Sequence, residues 1–130
     1  MPRVLAALAL FCAAPAAAAP LPDPATVANA QAGLADYRDV PSDIPCDASA
    51  LTAHKLMCAN DQLWQMGLLD SWAWVYALEN ATGTEADHEM PVWDELFIEE
   101  RDSCADEACL VDLLIRHTND SLGGISPYGP

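Results

Sequence analysis

Two cysteine pairs constrain this chain more than any other feature. Cys46 and Cys58 bracket one short segment, Cys104 and Cys109 another, and what lies between the pairs reads as helix. Around the second pair, the run from Phe97 to Leu110 reads as a helix end, a tight acidic turn and the start of another helix. Phe97, Ile98 and Arg101 share one side at helical spacing, and Leu110, Leu113 and Leu114 restart an apolar face beyond the turn. Four cysteines allow three connectivities. Sequence-local pairing, Cys46–Cys58 and Cys104–Cys109, is expected, because the second loop is so short that its Cα atoms already lie near bridging distance.

Disulfides belong to exported chains, and the N-terminus agrees. Arg3 supplies a positive start, Val4 to Cys12 an apolar run, and Ala16-Ala17-Ala18 a small-residue cleavage site. Residues 1–19 therefore read as a signal peptide, too short and too interrupted by Pro15 for a membrane span. Its removal leaves about 111 residues, enough for one small domain. Loss of Arg3 from a chain of formal charge −15 leaves −16, with Arg38, Lys55, Arg101 and Arg116 as the remaining cations. Such a balance repels nucleic acid phosphates and anionic membrane surfaces. It attracts a basic partner, although charge alone also serves simply to keep a protein in solution.

In order, residues 20–41 form a proline-rich lead-in and a modest helix over about 24–37, capped by Asp23-Pro24. Val40 to Pro45 is an extended connector held by two prolines. A short helix from about Ser49 offers Leu51, Leu56 and Met57 for burial. The longest helix, about 61–80, is apolar nearly all round, opens at Asn60-Asp61 and closes at Gly83. Pro91 opens a helix to about Ser103 that buries Val92, Trp93, Leu96 and Phe97. The last helix covers about 106–119, with Asp106 and Glu107 at its positive end. Residues 123–130 read as a disordered tail. The fold class expected is all-α, a small helical bundle clasped by two disulfides.

Catalytic chemistry is hard to place. Glu99-Glu100 and Asp94-Glu95 are adjacent pairs, which point in different directions on a helix. Ser49, Ser71, Ser103 and Ser121 lack a nucleophile elbow, and no base is identifiable for them. His54 lies four residues before Cys58, but a disulfide-bonded sulfur gives zinc no thiolate. His88 has no second helical ligand. No glycine loop cradles a phosphate. The sequence asks for no metal and no cofactor.

Cys46 and Cys58 with eleven residues between them, then Leu63 and Met66, an aromatic helix, Phe97 to Cys104, and Cys109-Leu110 together resemble the N-terminal domain of LprI-type lysozyme inhibitors. The likeness covers about residues 42–120, within a helical domain placed at 42–122. Its most specific part is Arg101-Asp102-Ser103-Cys104 followed by Cys109-Leu110. Phe97, Arg101, Asp102 and Leu110 are the positions that match as structural residues. The chain departs from the pattern in several places. The family's Leu-Asp falls on Met66-Gly67, with Leu69-Asp70 a turn later; its Gln falls on Asp94 and its Trp on Phe97. The glutamate before the second cysteine is His54, and the last-helix arginine falls on His117.

The resemblance implies a non-catalytic periplasmic or secreted protein that inhibits a basic, lysozyme-type muramidase. The segment Glu85 to Asp112 fits such a partner, with eleven acids against Arg101 alone. Its candidate partner-binding patch is Glu85, Asp87, Glu89, Asp94, Glu95, Glu99, Glu100, Asp106 and Glu107. Arg101 itself is expected to bridge helices through a carboxylate such as Asp70 or to cap carbonyls at its own helix end, the plain alternative being an exposed arginine that neutralises its acidic neighbours. The alternative is a periplasmic interaction module docking through exposed Trp64, Trp72 or Trp74. A carboxylate-based glycan hydrolase would require two carboxyls converging in a cleft.

Overall fold

A computed structural model describes residues 21–129, so the signal segment read over 1–19 lies outside the described residues. Among the described residues five α-helices follow one another: α1 Pro24–Gly33, α2 Thr52–Ala59, α3 Asp61–Thr82, α4 Glu95–Asp102 and α5 Glu107–Ser121, with a 3-10 turn at Ala35–Tyr37. No strand occurs among the described residues. The protein is an all-α bundle with two disulfides, Cys46–Cys58 and Cys104–Cys109.

The centre is α3, whose 22 residues span about 33 Å. The Asn60 side chain accepts from the Gln62 and Leu63 amides at its start, satisfying donors that no helical carbonyl reaches. Gly83 ends it at φ 67° with its N–H on the Glu79 carbonyl, a left-handed position that glycine occupies without steric cost. Leu63, Met66, Leu69 and Ala73 are fully buried. Their principal partner is α5, which brings Leu110, Val111 and Leu114 into the same core. On another side α2 crosses closely at Gly67, where a Cβ would fall 2.5 Å from the Met57 methyl. The α1 helix docks more lightly, through Val27 and a bond from Gln31 Nε2 to Gln65 Oε1 at 2.9 Å.

Several expected boundaries move, each because a side chain takes a tertiary bond. The first helix stops at Gly33 and the rest of its range is the 3-10 turn. The α2 helix begins at Thr52 rather than Ser49, since the Ser49 hydroxyl is held by His54. Leu51 is left exposed. The α4 helix begins at Glu95, not Pro91. The Trp74 indole donates to the Val92 carbonyl at 2.8 Å and holds Pro91 to Asp94 extended, and Asp94 caps the Phe97 amide. Val92 and Leu96, expected inside, are exposed, while Phe97 is buried. The tail turns at Gly123 and Gly124. Tyr128 packs against the core with its hydroxyl buried, so this part of the tail is docked rather than frayed.

The two bridges close loops of different length, with sequence separations of 12 and 5. Loop-closure entropy assigns roughly 3 kcal/mol to the longer and roughly 2 to the shorter. Cys58→Ser is therefore expected to lower the melting temperature more than Cys104→Ser. Melting curves of the two variants check the order, and a reversed order would contradict the loop-length account.

Candidate functional site

Two ionic clusters occupy the space between α3, α4, α5 and the 40–45 connector. In the first, Arg101 is 4% exposed and grips Asp43 with both terminal nitrogens, at 2.8 and 2.6 Å. Its Nε donates to Asp102 Oδ1 at 3.0 Å. The same Asp102 oxygen lies 2.8 Å from His54 Nε2, and His54 Nδ1 lies 2.7 Å from the Ser49 hydroxyl. One chain of bonds thus runs from the connector through α4 to α2. Burial works against the Arg101 charge, but Asp43 and then Asp102 override it, so the pKa moves up. The expected partner, Asp70, is not the one used. The connector is fixed beside α2 by Cys46–Cys58, and α2 packs on α4, so Asp43 reaches the guanidinium.

Asp70 belongs to the second cluster. It is 2% exposed; its oxygens lie 2.8 and 2.9 Å from His117 Nδ1, and it accepts from the Thr118 hydroxyl at 2.9 Å. His117 Nε2 lies 2.9 Å from Asp94. The ring is stacked on Phe97, 3.8 Å away and inclined 7°, with Trp74 at 5.5 Å. Ionised carboxylates only accept hydrogen bonds, so both imidazole nitrogens must donate, which makes His117 an imidazolium. Burial by itself lowers the His117 pKa; the bonds and charges of Asp70 and Asp94 outweigh it and the net shift is upward. Burial raises the Asp70 pKa, opposed by His117 and Thr118. We take the pair as ionic, since His117 has a second carboxylate and Asp70 a second donor.

A third histidine, His88, pairs with Asp39 at 2.9 Å and lies on Tyr37. That bond raises the His88 pKa and lowers that of Asp39. Burial, then Glu79, pushes the Tyr37 phenol up to about 12.

Ser49, His54 and Asp102 form a serine–histidine–carboxylate series that local sequence patterns did not disclose, and His54 corrects the expectation that Ser49 has no base. Its geometry serves attachment. His54 is 8% exposed, Asp102 is shared with Arg101, and the serine oxygen also accepts from the Leu51 amide. Between the two clusters, the residues around Asp70, Trp93, Arg101 and His117 enclose only about 10 Å³ of free space. Ligand pockets are typically about 300–1,000 Å³. Among the described residues, no group of three or more metal-ligating side chains is assembled.

The outer face is different in character. Glu85, Asp87, Glu89, Glu95, Glu99, Glu100, Asp106 and Glu107 are all exposed, whereas Asp94 points inward to His117 and leaves the expected patch. Asp106 is occupied in capping α5 through the Cys109 amide. Glu99 and Glu100 line one open groove with Asp112, which is paired to Arg116 at 3.1 Å. Both glutamates are exposed. Trp64, Trp72 and Trp74 are half-buried, and the last two donate to the Val40 and Val92 carbonyls. They tie the fold together rather than form an exposed docking centre. The matched positions Phe97, Arg101 and Leu110 are buried. His54, His117, Asp43 and Asp70 escaped local patterns because each has a charged partner 47 to 58 residues away. The one signal for the two histidines was that each replaces an ionisable residue of the resembled pattern.

Comparison with protein-family models, with curated proteins and with solved structures finds no match for this chain. The two disulfides place the protein in an oxidising compartment. No helix of the described residues is long and apolar enough to cross a membrane.

Proposed function

We propose that this chain is an exported, non-catalytic binding protein whose partner is a basic protein, most concretely a lysozyme-type muramidase that it inhibits in the periplasm or outside the cell. The observation that carries the reading is the division of charge in the segment from Glu85 to Asp112. Its single arginine, Arg101, is buried and bonded to Asp43 and Asp102, so it neutralises nothing on the surface. Nine of the segment's eleven carboxylates face solvent on and around α4 and the first turns of α5. The departures from the LprI-type pattern also support the reading, because they compensate one another. His117, Phe97 and Asp94 form one stacked and bonded group, and His54 takes up Asp102. The interior ionisable groups are engaged in bonds that hold helices together, which suits a rigid binder.

Co-incubation with purified lysozyme at low ionic strength tests it. Inhibition and a complex on a sizing column are expected. The association rate should fall steeply as salt rises, because opposite surface charges steer the encounter and salt screens them. Unchanged lysozyme activity with no complex would end the proposal.

A further inference from the structure

The partner reading above leaves open where on the molecule contact is made. Three of the most solvent-open large apolar side chains among the described residues fall within one short stretch: Met90 at 81%, Val92 at 76% and Leu96 at 73% exposure. Large apolar groups left open in sequence neighbours mark a contact surface more than isolated ones do. They are held, not loose. The Asp87 carboxylate accepts from the Glu89 and Met90 amides at 3.0 and 3.1 Å. Pro91 is buried, Trp74 pins the Val92 carbonyl, and Asp94 ties the head of α4 to His117. The backbone is therefore fixed beside each exposed side chain, and binding orders little that is not already ordered.

Beyond Leu96 the surface continues as a hollow of about 170 Å³, with Leu96, Phe97 and Leu113 as its apolar walls and Glu100 and Asp120 among its acids. That hollow shares Glu100, Leu113 and Arg116 with the groove between α4 and α5. Asp87, Glu89, Glu95, Glu99 and Glu100 are exposed along the same stretch. Of the two cations there, Arg116 is bonded to Asp112 and His117 to Asp70 and Asp94. An apolar centre with a charged rim is the anatomy of a protein contact. The rim's sign selects a positive partner.

We propose that Met90, Val92, Leu96 and the adjoining α4–α5 groove form the docking surface for a cationic protein, its apolar contact seated on Leu96 and its lysines or arginines on the surrounding glutamates. The proposal rests on the basic-partner reading and names its surface. The charges set how fast the partner arrives, and the apolar centre sets how long it stays.

Two probes separate this surface from the identity of the partner. With lysozyme, Val92→Gln/Leu96→Gln is expected to weaken binding at least about tenfold, through faster dissociation. Glu95→Gln/Glu99→Gln/Glu100→Gln is expected to slow association and flatten its salt dependence. Asp36→Asn/Asp47→Asn, exposed acids outside this surface, should leave affinity within about twofold. All substituted residues are exposed, and melting curves verify that each variant is folded. If lysozyme binds the wild type and Val92→Gln/Leu96→Gln equally, the surface is wrong while the partner stands. If lysozyme does not bind the wild type, the partner fails. A short amphipathic helix of lysine and leucine, followed by backbone amide shifts, then decides the surface. Shifts confined to about residues 87–100 and 112–120 support it; shifts centred elsewhere, or no binding, overturn it.

Discussion

Arg101→Met is expected to lower the melting temperature by on the order of 15 °C. The substitution leaves Asp43 and Asp102 facing the space of a guanidinium that is 4% exposed. Removing one partner of a buried ion pair costs about 3–5 kcal/mol. The lower end applies here, because the two carboxylates are 18% and 24% exposed and water offsets part of the loss. For a domain of this size each kcal/mol moves the midpoint by about 4–8 °C. Arg101→Lys restores the charge but not the two-pronged grip on Asp43, so it should recover less than half of the loss. Combining Asp43→Asn with Arg101→Met removes one orphaned carboxylate and should be less than additive. Thermal melts of these variants, of Asp43→Asn alone and of the wild type, five proteins in all, check this, and an Arg101→Met midpoint within about 3 °C of wild type would refute the anchoring role.

Replacing His117 has a comparable effect and carries a pH signature. His117→Leu leaves Asp70, 2% exposed, with only the Thr118 hydroxyl, and removes the ring stacked on Phe97. A loss of about 3–4 kcal/mol follows from the unpaired buried charge. In the wild type the His117 pKa is raised in the fold, so its contribution is complete below the unfolded value of about 6.5 and is lost as pH climbs through the folded value. The raised Asp70 pKa has the same sign, but with the pair ionic its proton is lost at lower pH and it adds nothing over this range. Asp39 and Glu79 act oppositely, their lowered pKa values giving stability that is lost on acidification, but that loss falls in the acid range below about pH 6. The melting temperature is therefore expected to decline from about pH 6 towards pH 9. His117→Gln should flatten that decline, and His88→Gln, at a more solvated site whose pKa is also raised, should keep most of it. A wild-type midpoint that is level or rises over this range would show that His117 is not held as an imidazolium.

Much of the architecture was legible because its signals are local. Asn60 and Gly83 cap α3 within one turn of their own position, and Asp106 caps α5 in the same way. The five-residue spacing of Cys104 and Cys109 left their bridge little choice. The start of α4 was not legible. Pro91 is a good first helical residue, yet Trp74 captures the Val92 carbonyl from 18 residues away and keeps the segment extended. The same displacement turned Val92 and Leu96 outward and made a candidate contact surface from residues that helical periodicity assigned to the core.

The acidic balance and the run of helices were settled by the sequence itself, and the local cysteine pairing was favoured by it, since charge is additive and caps, turns and short loops act between near neighbours. Which carboxylate each cation takes was settled only by the tertiary structure. Asp43 rather than Asp70 receives Arg101, Asp70 and Asp94 share His117, and Ser49 and Asp102 share His54. With twenty acids for few cations, composition leaves many pairings open. The choice falls to whichever carboxylate helix packing and the Cys46–Cys58 bridge bring within hydrogen-bond reach, away from the water that would otherwise screen it.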